Sequence, residues 1–217
     1  MRQSLGLIGL VGFIGAGKGS VGDILRTQFG FSQDSFAKPL KDAVATIFGW
    51  DRQMLEGSTP ESRAWREQPC EFWSEQFGYP FTPRLALQLM GTEAGRNVFH
   101  QNLWVASLLN RSKDKKVVVT DVRFKNEVEA IRKSGGIVVR VRRGLEPLWY
   151  TTALLANGGD KEAINKMAEL GVHQSEWDWV GCPMDYTLDN NGTLEDLEKK
   201  ISWMLQGERF VLTSTFK

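Results

Sequence analysis

The sequence predicts an α/β protein with a mostly parallel sheet flanked by helices, and three observations carry that expectation. Short, nearly all-apolar runs bounded by turn residues alternate with segments of helical period. The 217 residues are 41 % hydrophobic and 24 % charged, which suits one sizeable domain with a buried core. No run reaches the ~18 consecutive apolar residues of a membrane span, and Met1–Phe13 lacks a signal-peptide layout. A cytoplasmic protein with no membrane partner is therefore expected.

Taken in order, the first strand is Leu5–Val11, part of a glycine-studded run too short to span a bilayer. Val21–Phe29 suits a helix. Further strands are expected at Phe31–Phe36 (the weakest), Val117–Val122, Ile137–Val141 and Tyr186–Leu188. In Phe124–Lys133 the apolar residues Phe124, Val128 and Ile131 fall at helical spacing. Thr193–Leu205 repeats the pattern with Leu194, Leu197, Ile201 and Leu205, after an Asn191-Gly192-Thr193 turn and N-cap. Two stretches break the alternation. Gly49–Pro83, dense in Trp, Glu, Arg and Pro, reads as a helical insertion, and a second interruption covers 144–160. The chain thus reads as a single domain, 1–217, carrying both.

Lys and Arg number 27 against 26 Asp and Glu, a net charge of +1 that argues against a nucleic-acid polymer as partner. The balance conceals an uneven distribution. Residues 84–143 hold 13 basic and 5 acidic residues, whereas 144–217 hold 6 and 12. Cys70 and Cys182 form no C-x-x-C pair, so zinc or dithiol chemistry is not expected.

The strongest local signal is Gly12-Phe-Ile-Gly15-Ala16-Gly17-Lys18, directly after the first strand and before a helix. Glycines let successive backbone N–H groups turn inward around a polyphosphate, the lysine reaches its outer phosphates, and the helix dipole points at them. Gly19 stands where Ser or Thr is usual, and Ser20 follows. The same Gly-Lys-Gly-Ser/Thr order occurs in nucleoside monophosphate kinases, which makes Ser20 the candidate Mg²⁺ ligand.

The apolar run Val117–Val119 leads through Thr120 into Asp121. A carboxylate at such a strand end holds Mg²⁺ in phosphate-loop enzymes; it also suits a helix cap, and both roles can coexist. Pro83–Val98 reads as a largely buried helix from Leu85, Leu87, Leu89, Met90 and Ala94, yet Arg84, Gln88, Thr92 and Arg96 recur every fourth residue. Internal ion pairs would satisfy this polar stripe. An anionic ligand carrying a base would suit it better, with Arg forks for phosphate.

Together these residues resemble the bacteriophage deoxynucleoside monophosphate kinases. The likeness runs through Gly-Lys-Gly-Ser, Phe36-Ala-Lys-Pro-Leu-Lys41-Asp42 and Arg84-x-x-x-Gln88-x-x-Gly91-Thr92. It continues in Trp104, Asp121-x-Arg123-x-x-x-Glu127, His173-x-Ser175-Glu176 and Asp189-Asn190-Asn191-Gly192. The resemblance implies a three-layer phosphate-loop (P-loop) kinase fold with a helical insertion and a short lid at 144–160. It implies small-molecule substrates, ATP with Mg²⁺ and a dNMP. Gly15, Ala16, Gly17, Lys18, Gly19 and Ser20 would then bind ATP phosphates, with Asn190 near the adenine. Lys41, Arg63 (Arg66 being the alternative), Arg84, Gln88, Gly91, Thr92, Arg96 and Trp104 would serve the dNMP. Lys18, Asp121, Arg123 and Arg142 would act at the transferring group, and Ser20 and Asp121 on the metal.

A phosphate acceptor is already an anion, so positioning and cations matter more than a strong base. His173 is expected to be a surface or capping residue. The tryptophans other than Trp104 are expected to pack, while Trp104 would stack on a base. Kinases of dephospho-coenzyme A or phosphomevalonate type remain alternatives, as does a nucleotide-switch ATPase. Oligomeric state stays open, a homodimer included.

Overall fold

A computed structural model describes residues 6–214, so Leu5 of the expected first strand lies outside the described residues. The elements in chain order are β1 (Leu7–Val11), α1 (Lys18–Phe29), β2 (Ser32–Asp34), α2 (Lys38–Phe48), α3 (Pro60–Glu67), α4 (Glu71–Phe77) and α5 (Pro83–Gln88). A π-helical stretch, Leu89–Phe99, precedes α6 (Leu103–Ser112), β3 (Val117–Val119), α7 (Lys125–Lys133) and β4 (Ile137–Arg142). The chain continues through α8 (Tyr150–Asn157), α9 (Lys161–Glu169), β5 (Tyr186–Asp189) and α10 (Leu194–Ser214). Two compact units result: one from 1–35 and 109–217, the other from Phe36–Leu108.

The first unit is built on a five-stranded, all-parallel sheet of order β2-β3-β1-β4-β5. Every residue of β1 and β3 is buried, as strands covered on both faces require, and this is why they read as continuous apolar runs. Ile8, Leu10, Val118 and Val139 meet Val21, Leu25, Leu197 and Ile201 from α1 and α10 in one core cluster. The apolar residues of α10 that enter it lie on one face. Trp203 lies off that face and is 81 % exposed, so it does not pack as the sequence suggests.

Sheet register positions the chemistry. Gly9 pairs with Val119, so β1 leads into the glycine-rich loop beside β3, which leads through Thr120 to Asp121. Val11 pairs with Arg140 and Arg142 with Asp189, which brings the ends of β4 and β5 to the same edge. Ligands of open parallel sheets sit beyond such carboxyl ends.

The second unit is helical and packs around Leu40, Val44, Leu55, Phe81 and Ala86. Phe48 and Trp50 stack with centroids 4.7 Å apart, and Trp73 meets Phe48 edge-on while donating its indole N–H to the Phe48 carbonyl at 3.1 Å. This explains the tryptophan-rich composition of 49–83: rings supply core area in a segment of short helices.

The expected helix over Pro83–Val98 forms differently. After α5 it widens into i→i+5 bonding, a form found often at functional sites. Buried Ala86, Gly91 and Gly95 make its packed face, with Leu40 against Gly91 and the Trp104 ring against Gly95. The Trp104 indole also takes the Gly91 carbonyl, at 2.8 Å. Arg84, Gln88 and Thr92 consequently face outward, and only Arg96 of the stripe is half-buried.

Candidate functional site

The glycine-rich loop leaves β1 at Gly12 and enters α1 at Lys18. Gly15 and Gly17 take φ values of 82° and 96°, a left-handed conformation that disfavours other residues. A Cβ added at Gly15 or Gly19 would meet nothing within 4 Å, so the backbone there faces open space. Ser20 is exposed in the first turn of α1. This geometry fits a polyphosphate: bare N–H groups, a helix N-terminus and a lysine share one turn.

Lys18 folds its ammonium back onto the carbonyls of Gly12 at 2.6 Å and Phe13 at 3.1 Å. Burial first, and then the Arg123 guanidinium, pull its pKa down to about 8, against the opposing pull of Glu176 and Asp121. A buried cation short of negative partners has a standing preference for an anion. Polyphosphate supplies one and raises the lysine's pKa, so binding should take up protons near pH 8 and affinity should fall as pH rises above it. Titration calorimetry in two buffers of different ionisation enthalpy measures that uptake.

Two residues beyond Asp121, Arg123 pairs with Glu176 (2.8 Å). Glu127 closes the Asp121-x-Arg123-x-x-x-Glu127 pattern, whose spacing alone assigns it no role. It is 2 % exposed, and one of its carboxylate oxygens accepts the main-chain N–H groups of Arg123 (2.8 Å) and Phe124 (3.1 Å). It therefore builds the turn that carries Arg123 and caps α7. His173 caps the short turn Gln174–Glu176 through its ring nitrogen, 2.8 Å from the Ser175 hydroxyl, and thereby serves the loop that presents Glu176.

At the other edge, Arg142 pairs with Asp189 (3.1 Å), and the Asn190 side chain donates to the Ala16 carbonyl (2.9 Å). Phe13 of the glycine-rich loop lies against Trp149, Tyr150 and Trp179, with centroids 4.9–6.1 Å apart. Arg140 sits over the Tyr150 and Trp179 rings and bonds Glu146 at 2.6 Å. The ring contacts of Phe13 do not follow from local spacing, because its partners are more than a hundred residues away.

In the second unit, Lys41 donates to Glu56, which Arg52 also holds. Burial pushes the Glu56 pKa up, but the hydrogen bonds from Lys41 and Arg52 outweigh it and keep the carboxyl below its usual value. Arg84 pairs with Glu67 at 3.0 Å, both exposed. Arg63 is exposed, 3.5 Å from two carbonyls. Arg66 is half-buried against Gly57, and its Nε lacks a hydrogen-bond partner among the described residues. Burial first, then Arg84, holds the Arg66 pKa below its ordinary value.

A parallel sheet of this order, a phosphate-binding loop after its central strand and a carboxylate at the next strand's end define a P-loop phosphotransferase. Among known proteins, the chain is 34 % identical over 151 residues to an Acanthamoeba polyphaga mimivirus protein described as a deoxynucleotide monophosphate kinase. The match spans 63 % of this chain and 74 % of that one. This chain belongs to the deoxynucleotide monophosphate kinase family. It is also 41 % identical over 56 residues to the deoxynucleoside-5′-monophosphate kinase of Escherichia phage T5, across 24 % of this chain and 22 % of that one. No family model matches the sequence. Solved structures with a similar course include Aquifex aeolicus shikimate kinase (17 % identity, TM-score 0.45, 94 % of this chain and 98 % of that one). Sinorhizobium meliloti gluconokinase matches at 17 % identity with a TM-score of 0.42, over 96 % and 98 %. Among the described residues, no helix is long and apolar enough to cross a membrane.

Proposed function

We propose that the protein transfers the γ-phosphoryl group of ATP to deoxynucleoside monophosphates, in line and with Mg²⁺. The observation that carries this reading is the sheet register: Gly9 pairs with Val119, so the central strand leads into the glycine-rich loop beside the strand that leads to Asp121. The loop and Lys18 bind the donor's phosphates, and Arg123 and Arg142 supply positive charge at the same sheet edge. Ser20 and Asp121 would hold the metal ion, which neutralises charge on the transferred group when bound. The chain needs no strong base for an acceptor that is already anionic. Residues 144–160 act as the lid.

In the second unit, Lys41, Gln88, Thr92 and Trp104 recognise the acceptor. Arg66 is the better candidate for its phosphate than Arg63, because a half-buried guanidinium with an unpaired Nε has more to gain from an anion. Arg66→Ala should raise the dNMP KM about 10–100-fold, as loss of a charge-assisted contact does, whereas Arg63→Ala should change it little. Steady-state kinetics at saturating ATP checks both.

The partners are small phosphorylated molecules, not a nucleic-acid polymer, and the setting is the cytoplasm. ADP release should be fast with dTMP, dGMP, dCMP or dAMP and slow without an acceptor. Turnover with dephospho-coenzyme A alone, or equal ATPase activity with no acceptor, would overturn the assignment.

A further inference from the structure

We propose that Asn190 is a positioning residue for the glycine-rich loop, and that the turn Asp189–Asn191 holds this loop and the end of β4 in register for a polyphosphate. The proposal rests on the reading of the loop as the polyphosphate site.

The three side chains of the turn reach three different targets. Asp189 pairs with Arg142 at 3.1 Å, and Asn191 accepts the main-chain N–H of Gly144 at 2.8 Å. Asn190 donates its side-chain amide to the Ala16 carbonyl at 2.9 Å and its main-chain N–H to the Arg142 carbonyl at 2.8 Å. One residue therefore ties the loop to the end of β4. The turn itself is fixed: the Asp189 carboxylate accepts both the main-chain and side-chain N–H groups of Asn191, and Lys200 bonds the Asp189 carbonyl at 2.6 Å.

Peptide planarity turns this bond into an orienting device. In a trans peptide the carbonyl and the following N–H point in opposite directions. Drawing the Ala16 carbonyl to Asn190 aims the Gly17 N–H the other way, off the Asn190 side of the loop. The fit is close on both sides, since a Cβ at Gly17 would strike the Asn190 amide. A side chain spent on the loop backbone in this way acts on phosphate binding and not on the base.

Inorganic tripolyphosphate, which has no base, separates the two roles. Its affinity and that of ATP are measured by calorimetry for the wild type, Asn190→Ala and Asn190→Leu, the last being neutral and close in volume. Both ligands should weaken by the same factor, about tenfold for one hydrogen bond. Melting curves on the same samples keep unfolded protein from being scored as weak binding, and either variant that folds decides the matter. Weakened ATP binding with unchanged tripolyphosphate binding would overturn the proposal in favour of a base contact, and no change in either would remove any role. Tripolyphosphate that neither competes with ATP nor responds to Lys18→Ala would overturn the loop reading itself, and this proposal with it.

Discussion

Replacing Lys18 by alanine is expected to lower kcat by about 10²–10³-fold, the range seen when a preorganised donor at a developing charge is removed. The loss should exceed that of any other single change in the loop, because Lys18 is the only cation that the loop itself contributes. The empty protein should tolerate the change. Lys18 spends its hydrogen bonds on the carbonyls of Gly12 and Phe13, and burial already disfavours its charge, pulling the pKa down to about 8. Unaltered melting with lost turnover is therefore the expected pair of results. A large drop in melting temperature would mean that the ammonium is a structural clasp for the loop.

Glu127→Ala should behave in the opposite way, with stability and activity falling together. Its buried carboxylate satisfies two main-chain donors at a half-buried helix start. Stranding a buried donor costs about 1–3 kcal/mol, and for two half-buried donors a total of roughly 3 kcal/mol is expected. For a chain of this size that corresponds to a fall of about 6–12 °C in Tm. Arg123, the next residue but one after Asp121, would lose its fixed backbone, and phosphoryl transfer should drop with it. Glu127→Gln keeps an acceptor of the same reach and should recover most of the melting temperature. If the glutamine variant is as unstable as the alanine one, the charge and not the acceptor geometry holds the turn.

How much of this was legible beforehand depends on how far apart the partners lie in the chain. The strands β1, β3 and β4 could be read because a strand buried on both faces is a local apolar run, whereas β2, Ser-Gln-Asp and mostly exposed, carries no such run and gives the weakest signal. The loop could be read because its geometry demands glycine at fixed spacing. The wide turn after Gln88 could not, since it depends on Leu40 and Trp104 closing on Gly91 and Gly95. An assumed i→i+4 period turned the stripe of Arg84, Gln88 and Thr92 inward, whereas it faces out. Arg63 and Arg66 lie three residues apart on one short helix, and only the packing on Gly57 separates their environments. Glu127 left a trace in its spacing from Asp121 and Arg123, but its task is to serve main-chain atoms, which no side-chain pattern displays.

The aromatic enclosure of Phe13 has a consequence for the order in which the protein is made. The rings that surround Phe13, those of Trp149, Tyr150 and Trp179, leave the ribosome more than a hundred residues after it. The same is true of β1, whose sheet neighbours begin at Val117 and Ile137. At the usual ~5–20 residues per second of synthesis, the first strand and its loop wait several seconds for their partners. Such long-range pairing is slow to close and leaves an apolar segment uncovered meanwhile. The glycine-rich loop is thus made long before the residues that enclose it. Chains truncated before Trp179 should contain the complete glycine motif and still fail to retain a polyphosphate.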